Sequence, residues 1–244
     1  MKKSIGILGG MGPLATADLF RKIVTLTKAD RDNDHIRIYI DDNASIPDRT
    51  AAILSGGADP LPAMTDSLRK LEACGADCII MPCNTAHYFL PRLQTLTSVP
   101  FLSILDATAE ACAARFPGQT AGVLGTKGTL ATGLYQSALD ARGVSAVIPG
   151  AAEQDALMRV IYDGVKADAA PESYRAELEG VLDAMARRGA DYFILGCTEL
   201  PVAAQQLGLT IPMADPTEEL AKAAIHFCGY AVKDEILRNF MLSA

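Results

Sequence analysis

Gly75-Ala-Asp-Cys-Ile-Ile-Met-Pro-Cys83 and Gly189-Ala-Asp-Tyr-Phe-Ile-Leu-Gly-Cys197 share one pattern: a Gly-Ala-Asp turn, an apolar run, then a cysteine. The two cysteines are 114 residues apart. Upstream, Gly6-Ile-Leu-Gly9-Gly-Met-Gly12-Pro-Leu-Ala-Thr16 pairs with Gly122-Val-Leu-Gly125-Thr-Lys-Gly128-Thr-Leu-Ala-Thr132 at a spacing of 116. Downstream, Val99-Pro100 pairs with Ile211-Pro212 at 112. Three anchors in one order at nearly constant spacing mark an internal duplication. Its period is far too long for a solenoid, so it predicts two similar lobes.

Around these anchors, short apolar runs alternate with helical patterns. Strands are expected at Ser4–Leu8, Ile36–Ile40, Cys78–Met81, Phe101–Ile104, Thr120–Leu124, Ser145–Ile148, Tyr192–Leu195 and Thr210–Met213. Amphipathic stretches such as Ala63–Ala73, Leu105–Ala114 and Arg175–Arg188 lie between them. Strands spaced by helices of this length predict an α/β fold with parallel sheets. Continuous apolar strands fit sheets covered on both faces. The expected division puts residues 1–100 with 207–244 in one lobe and 101–206 in the other. A pseudo-two-fold then relates the lobes, with the active site in the cleft between them.

The 244 residues carry a net charge of −7, are 50% hydrophobic and contain no Trp. The core must come from Ala, Val, Ile and Leu. No cluster of cations is available to neutralise phosphates, which argues against a nucleic-acid partner. No apolar run approaches the roughly 18 residues that cross a bilayer, and Ile5–Leu8 is too short for a signal-peptide core. A cytoplasmic location is expected, and in a reducing compartment the six cysteines are not structural disulfides.

Each lobe ends a strand in a cysteine: Met81-Pro-Cys83-Asn-Thr and Leu195-Gly-Cys197-Thr-Glu. Ligands of parallel sheets sit beyond the carboxyl ends of the strands, so facing lobes place two thiols on opposite walls of one cleft. Racemisation needs this arrangement, with one group removing a proton from one face and the other returning it to the opposite face. Helix N-termini after the cysteines are expected to favour thiolates. Asn84, Thr85, Thr198 and Glu199 are placed to orient sulfur or bind substrate. Arg49 suits bidentate carboxylate binding, and Lys166 has similar standing. His87 either tunes the thiol or packs, while His35 and His226 read as structural. Cys74, Cys78, Cys112 and Cys228 read as apolar filler. Gly10-x-Gly12-x-x-Ala15, with Asp41 or Asp42 after the next strand, formally matches a dinucleotide fingerprint. A tight loop near a substrate carboxylate is the preferred reading.

Gly9-Gly-Met-Gly-Pro-Leu-Ala-Thr16, Cys83-Asn-Thr-Ala-His87 and Gly196-Cys-Thr-Glu-Leu200 resemble the aspartate/glutamate racemase family over essentially the whole chain, and within it the aspartate racemase branch. The resemblance implies catalysis by Cys83 and Cys197 without pyridoxal phosphate or metal, and a homodimer. It implies that Arg49 and Lys166 bind the substrate's side-chain carboxylate, and that Met11, Asn84, Thr85, Thr126 and Thr198 line the site. Glutamate racemases of this kind carry Gly-Cys-Thr-His at the second motif and Pro-Tyr-Gly after the second strand. Here Glu199 and Pro47-Asp48-Arg49 stand instead, which shifts the expected substrate toward aspartate. The alternatives are a glutamate or broad-specificity racemase, a maleate isomerase-like or decarboxylating relative, a two-lobe binding protein, and a nicotinamide-dependent oxidoreductase.

Overall fold

The computed structural model describes residues 2–233. The first sheet contains β1 (Ile5–Gly9), β2 (Ile38–Asp42), β3 (Cys78–Ile80) and β4 (Phe101–Leu102), in the order β2-β1-β3-β4. The second contains β5 (Ala121–Leu124), β6 (Ala146–Val147), β7 (Tyr192–Leu195) and β8 (Met213–Ala214), in the matching order β6-β5-β7-β8. Every pairing within the two sheets is parallel. The duplication therefore extends to topology. Central strands β1, β3, β5 and β7 are buried along their whole length, which is why their sequences are continuously apolar.

Helices of the first half are α1 (Pro13–Leu26), α2 (Arg49–Leu54), α3 (Leu61–Ala73) and α4 (Leu90–Gln94). Those of the second half are α5 (Ile104–Arg115), α6 (Lys127–Ala131), α7 (Leu134–Asp140), α8 (Ala151–Arg159), α9 (Glu172–Arg187), α10 (Glu199–Gln206) and α11 (Pro216–Phe227). Between α8 and α9 the chain makes a π-helical turn, Val160–Val165. Among the described residues, no helix is long and apolar enough to cross a membrane.

The expected division at 100/101 and 206/207 is displaced at the level of the sheets. β4 hydrogen-bonds to β3 in the first sheet, and β8 to β7 in the second. Each half closes its sheet with a last strand before handing a helix to its neighbour. After β4, α5 packs on α7; after β8, α11 packs on α1 and α5. These helices weave Ile5, Ile7 and Ile80 of the first sheet with Val123, Tyr192 and Ile194 of the second into one buried cluster. Two further clusters cover the outer faces of the sheets. A core shared this way ties the lobes together as a single unit rather than two bodies on a linker.

Candidate active site

Residues that follow β1, β2, β3, β5, β6 and β7 meet at one cavity between the sheets. It is lined by Met11, Asp48, Arg49, Thr50, Cys83, Asn84, Thr85, Thr126, Tyr162, Lys166, Gly196, Cys197, Thr198 and Glu199. All ten residues singled out from the sequence are among them. Asp48, Thr50, Tyr162 and Gly196 were not anticipated. Tyr162 had a readable signal, since it precedes Lys166 by one helical turn and shares its face. The cavity holds about 20 Å³, little more than one water molecule requires.

Cys83 and Cys197 are each 8% exposed. Cys83 follows β3 and Cys197 follows β7. Their walls are built differently. Beside Cys83, His87 is buried and its Nδ1 lies 2.9 Å from the Cys83 carbonyl oxygen. Its Nε2 accepts the backbone N–H of Ile104 at 3.1 Å, so Nδ1 carries the proton and donates. Burial pushes the imidazole down to about 4. Of the two roles expected for His87, the structure shows the packing one: a neutral clip between the Cys83 turn and the first residue of α5.

Beside Cys197, the thiol donates to Glu199 Oε2 at 2.9 Å, and Thr198 Oγ1 donates to the same oxygen at 3.1 Å. Burial raises the Cys197 thiol well above its usual range, and the Glu199 charge and hydrogen bond add to this against Lys166. The expected lowering at a helix N-terminus is thus overturned for Cys197. The adjacent carboxylate and desolvation outweigh the dipole of α10. Lys166 Nζ stands 3.6 Å from Glu199 Oε1 and 4.6 Å from the centre of the Tyr162 ring. Burial lowers its affinity for protons, but Glu199, Cys197 and Tyr162 together raise it.

Arg49 opens α2 and is 9% exposed. Its Nη1 donates to the carbonyls of Ile46 and Pro47 at 3.1 and 3.0 Å, and Nη2 to that of Met11 at 3.0 Å. Its Nε is buried without a partner, and among the described residues no carboxylate pairs with this guanidinium. Asn84 Oδ1 accepts the Tyr135 hydroxyl at 2.6 Å, leaving the buried Nδ2 unpartnered. Two residues of the cavity lining thus each keep a buried donor without a protein partner, an arrangement that is costly unless another group pairs with it.

The glycine loop serves packing. Gly10 sits at φ +86, and a Cβ there would lie 2.2 Å from the backbone of Asn43. The loop thus lies directly on the chain leaving β2, and it offers Arg49 a carbonyl. On the opposite side, Thr85 Oγ1 lies 3.1 Å from Thr126 Oγ1 and 2.8 Å from Thr129 Oγ1. Thr126 caps α6 by accepting the Thr129 N–H. This hydroxyl cluster joins the two halves. At the mouth, the Tyr162 hydroxyl donates to Asp48 Oδ2 at 3.3 Å. Of the other cysteines, Cys78, Cys112 and Cys228 are buried as expected, whereas Cys74 is exposed. Among the described residues, no group of three or more His, Cys, Asp or Glu is arranged to hold a metal ion.

A sequence profile of Asp/Glu/hydantoin racemases matches residues 8–224. The chain is 30% identical over 229 residues to the broad specificity amino-acid racemase RacX of Bacillus subtilis, covering 91% of this chain and 96% of that one. An aspartate racemase of Picrophilus torridus superposes with a TM-score of 0.81 at 32% identity, covering 96% of this chain and 97% of that one. An aspartate racemase homologue from Pyrococcus horikoshii gives 0.74 at 26%, covering 94% and 100%. With the two-lobe topology and the profile in agreement over nearly the whole chain, this protein belongs to the Asp/Glu/hydantoin racemase family.

Proposed function

We propose that the protein interconverts L- and D-aspartate by two-base proton transfer between Cys83 and Cys197, without a cofactor. One observation carries the choice of an acidic substrate: Arg49, which lines the cavity shared by both thiols, has no carboxylate partner among the described residues, and its buried Nε is unpartnered. A substrate carboxylate meets that deficit, with Asn84 Nδ2 as a second donor. Lys166 adds a cation at the same cavity.

The chemistry follows from the two walls. One sulfur, as thiolate, takes the α-proton, and the other, as thiol, delivers a proton to the opposite face. An α-proton is weakly acidic, so the planar carbanion has to be stabilised by fixed donors in a site emptied of water. Fixed donors of the lining, Asn84, Thr85 and Thr198, are assigned the first task, and their enclosure in a small cavity the second. Because the lobes share a core, we assign substrate entry to the mouth, at the Asp48–Tyr162 hydrogen bond, rather than to separation of the lobes. A homodimer acting in the cytoplasm completes the proposal, and light scattering of the purified protein tests the dimer.

The Lys166–Glu199 contact favours one second reading. If Lys166 stays neutralised by Glu199, selection for a distal carboxylate weakens and the range widens toward neutral amino acids. Incubating enantiopure aspartate, glutamate and neutral amino acids with purified protein, and following the loss of circular dichroism, tests both. Aspartate racemising fastest supports the proposal. Equal rates for neutral amino acids favour the wider range, and no racemisation of any amino acid refutes both.

A further inference from the structure

The duplication sets Thr85 and Glu199 at matched positions, each two residues after its cysteine. Thr85 turns to the hydroxyl cluster with Thr126 and Thr129. Glu199 turns to the sulfur. Among the described residues, no carboxylate is hydrogen-bonded to the Cys83 sulfur, so the cavity has one acid-backed thiol and one without.

We propose that Glu199 is a positioning residue that keeps the transferable proton on the Cys197 wall, by accepting the Sγ–H through Oε2 and fixing a negative charge beside the sulfur. This rests on the two-thiol reading above. Its consequence is that, in the resting enzyme, Cys197 is the thiol that holds the proton to be delivered. When Cys197 delivers its proton to the carbanion, the electron pair stays on sulfur, and a thiolate is left next to a carboxylate. That thiolate is a strong base and readily takes the proton back when the opposite enantiomer binds, as Brønsted behaviour requires for a weakly acidic carbon. The other groups facing Cys197 do not supply this charge. Lys166 opposes it, the Tyr162 and Tyr135 phenols are held protonated by burial, and Cys83 and Arg49 stand elsewhere around the cavity. Asp48 directs Oδ1 to the Ala51 N–H and Oδ2 to Tyr162. Lys166, 3.6 Å from Glu199 Oε1, holds the pair of anions together after proton transfer.

The test is a titration of ultraviolet thiolate absorbance on free protein. Parent and Glu199→Gln are each measured against the same protein carrying Cys197→Ser, so the difference isolates one thiol from the other five. The Cys197 midpoint is expected to fall by about one pH unit or more in Glu199→Gln, the size of a near-charge effect, and to stay near the parent value in Glu199→Asp. An unchanged or raised midpoint in Glu199→Gln overturns the proposal. The infrared S–H stretch of the parent, as a difference against Cys197→Ser, needs no Glu199 variant. A band shifted to low frequency by a carboxylate acceptor is expected, and a band at the free-thiol position overturns the proposal. Neither measurement uses substrate. Loss of the midpoint shift removes the role of Glu199 and leaves the two-thiol reaction standing, while failure to racemise aspartate leaves the titration readable.

Discussion

The wall behind Cys83 and the wall behind Cys197 descend from one pattern and have diverged in what surrounds the sulfur. On the first, His87 locks the turn by two backbone contacts, and Asn84 and Thr85 present amide and hydroxyl groups. On the second, the position matching His87 is Pro201, and charge takes over through Glu199 and Lys166. The difference teaches that duplication fixes where the two sulfurs sit, while local substitutions decide how each one holds a proton. Proton transfer across a plane needs symmetric placement. It does not need symmetric environments.

The comparison breaks most severely if either thiol is dispensable. Cys83→Ala and Cys197→Ala are each expected to lower aspartate racemisation by about 10²–10⁴-fold, the usual worth of a positioned acid or base. Circular dichroism should show an intact fold, since each change removes one small buried atom. Parent-like racemisation in either variant contradicts the two-wall account.

Next in size is the cation that both walls share. Arg49→Lys keeps the charge and loses the planar donor set. The expected outcome is a loss of about 10²-fold or more in kcat/KM for aspartate, near 3 kcal/mol of transition-state binding. Unchanged aspartate kinetics would show that the guanidinium does not meet the substrate carboxylate.

His87 sharpens the contrast by pH. Its folded value near 4 lies below the ordinary 6.5. Between these values the unfolded chain binds more protons than the folded one, so stability rises with pH across the window. The contribution is complete above about 6.5 and is lost as pH falls toward 4. The full span is worth about 3 kcal/mol. Urea unfolding at pH 7.5 and pH 5 should show this acid loss in the parent, and a smaller one in His87→Gln. An equal loss in both would place the acid sensitivity elsewhere.

The smallest expected effect concerns two glycines matched by the duplication. A Cβ on Gly128 would stand 2.8 Å from Thr50 Oγ1 and 3.1 Å from Thr50 Cα, whereas a Cβ on Gly12 meets nothing within 4 Å. Gly128→Ala should cost about 1–3 kcal/mol as overpacking between the halves. Gly12→Ala should cost less than about 1 kcal/mol. Equal costs in thermal denaturation would show that the halves do not press together at α6.

How much of this was readable depended on whether a feature is local. The central strands β1, β3, β5 and β7 follow most clearly from short apolar runs, because a central parallel strand is buried on both faces and admits little else. Cys83, Asn84, Thr85, Cys197, Thr198 and Glu199 followed from their places just beyond the ends of β3 and β7, whereas Met11 and Thr126 came from the family resemblance alone. The hand-over points did not, since β4 and β8 are two residues each and their partners are set by packing. Asp48 and Tyr162 were missed because their contact joins segments 114 residues apart. The raised Cys197 thiol was read in the wrong direction because burial and the rotamer of Glu199 are tertiary facts, absent from the local motif.

Solvent isotope transfer reaches the central claim most directly. Enantiopure L- and D-aspartate are incubated separately in deuterium oxide with parent, Cys83→Ala and Cys197→Ala protein, and α-deuterium is read by mass spectrometry together with configuration. The account predicts that the parent places solvent deuterium in the inverted product from either enantiomer. Each single variant should stop inversion, and any α-deuterium it still introduces should appear with retention. Inverted, deuterated product formed at the parent rate by a protein lacking one of these sulfurs would contradict it.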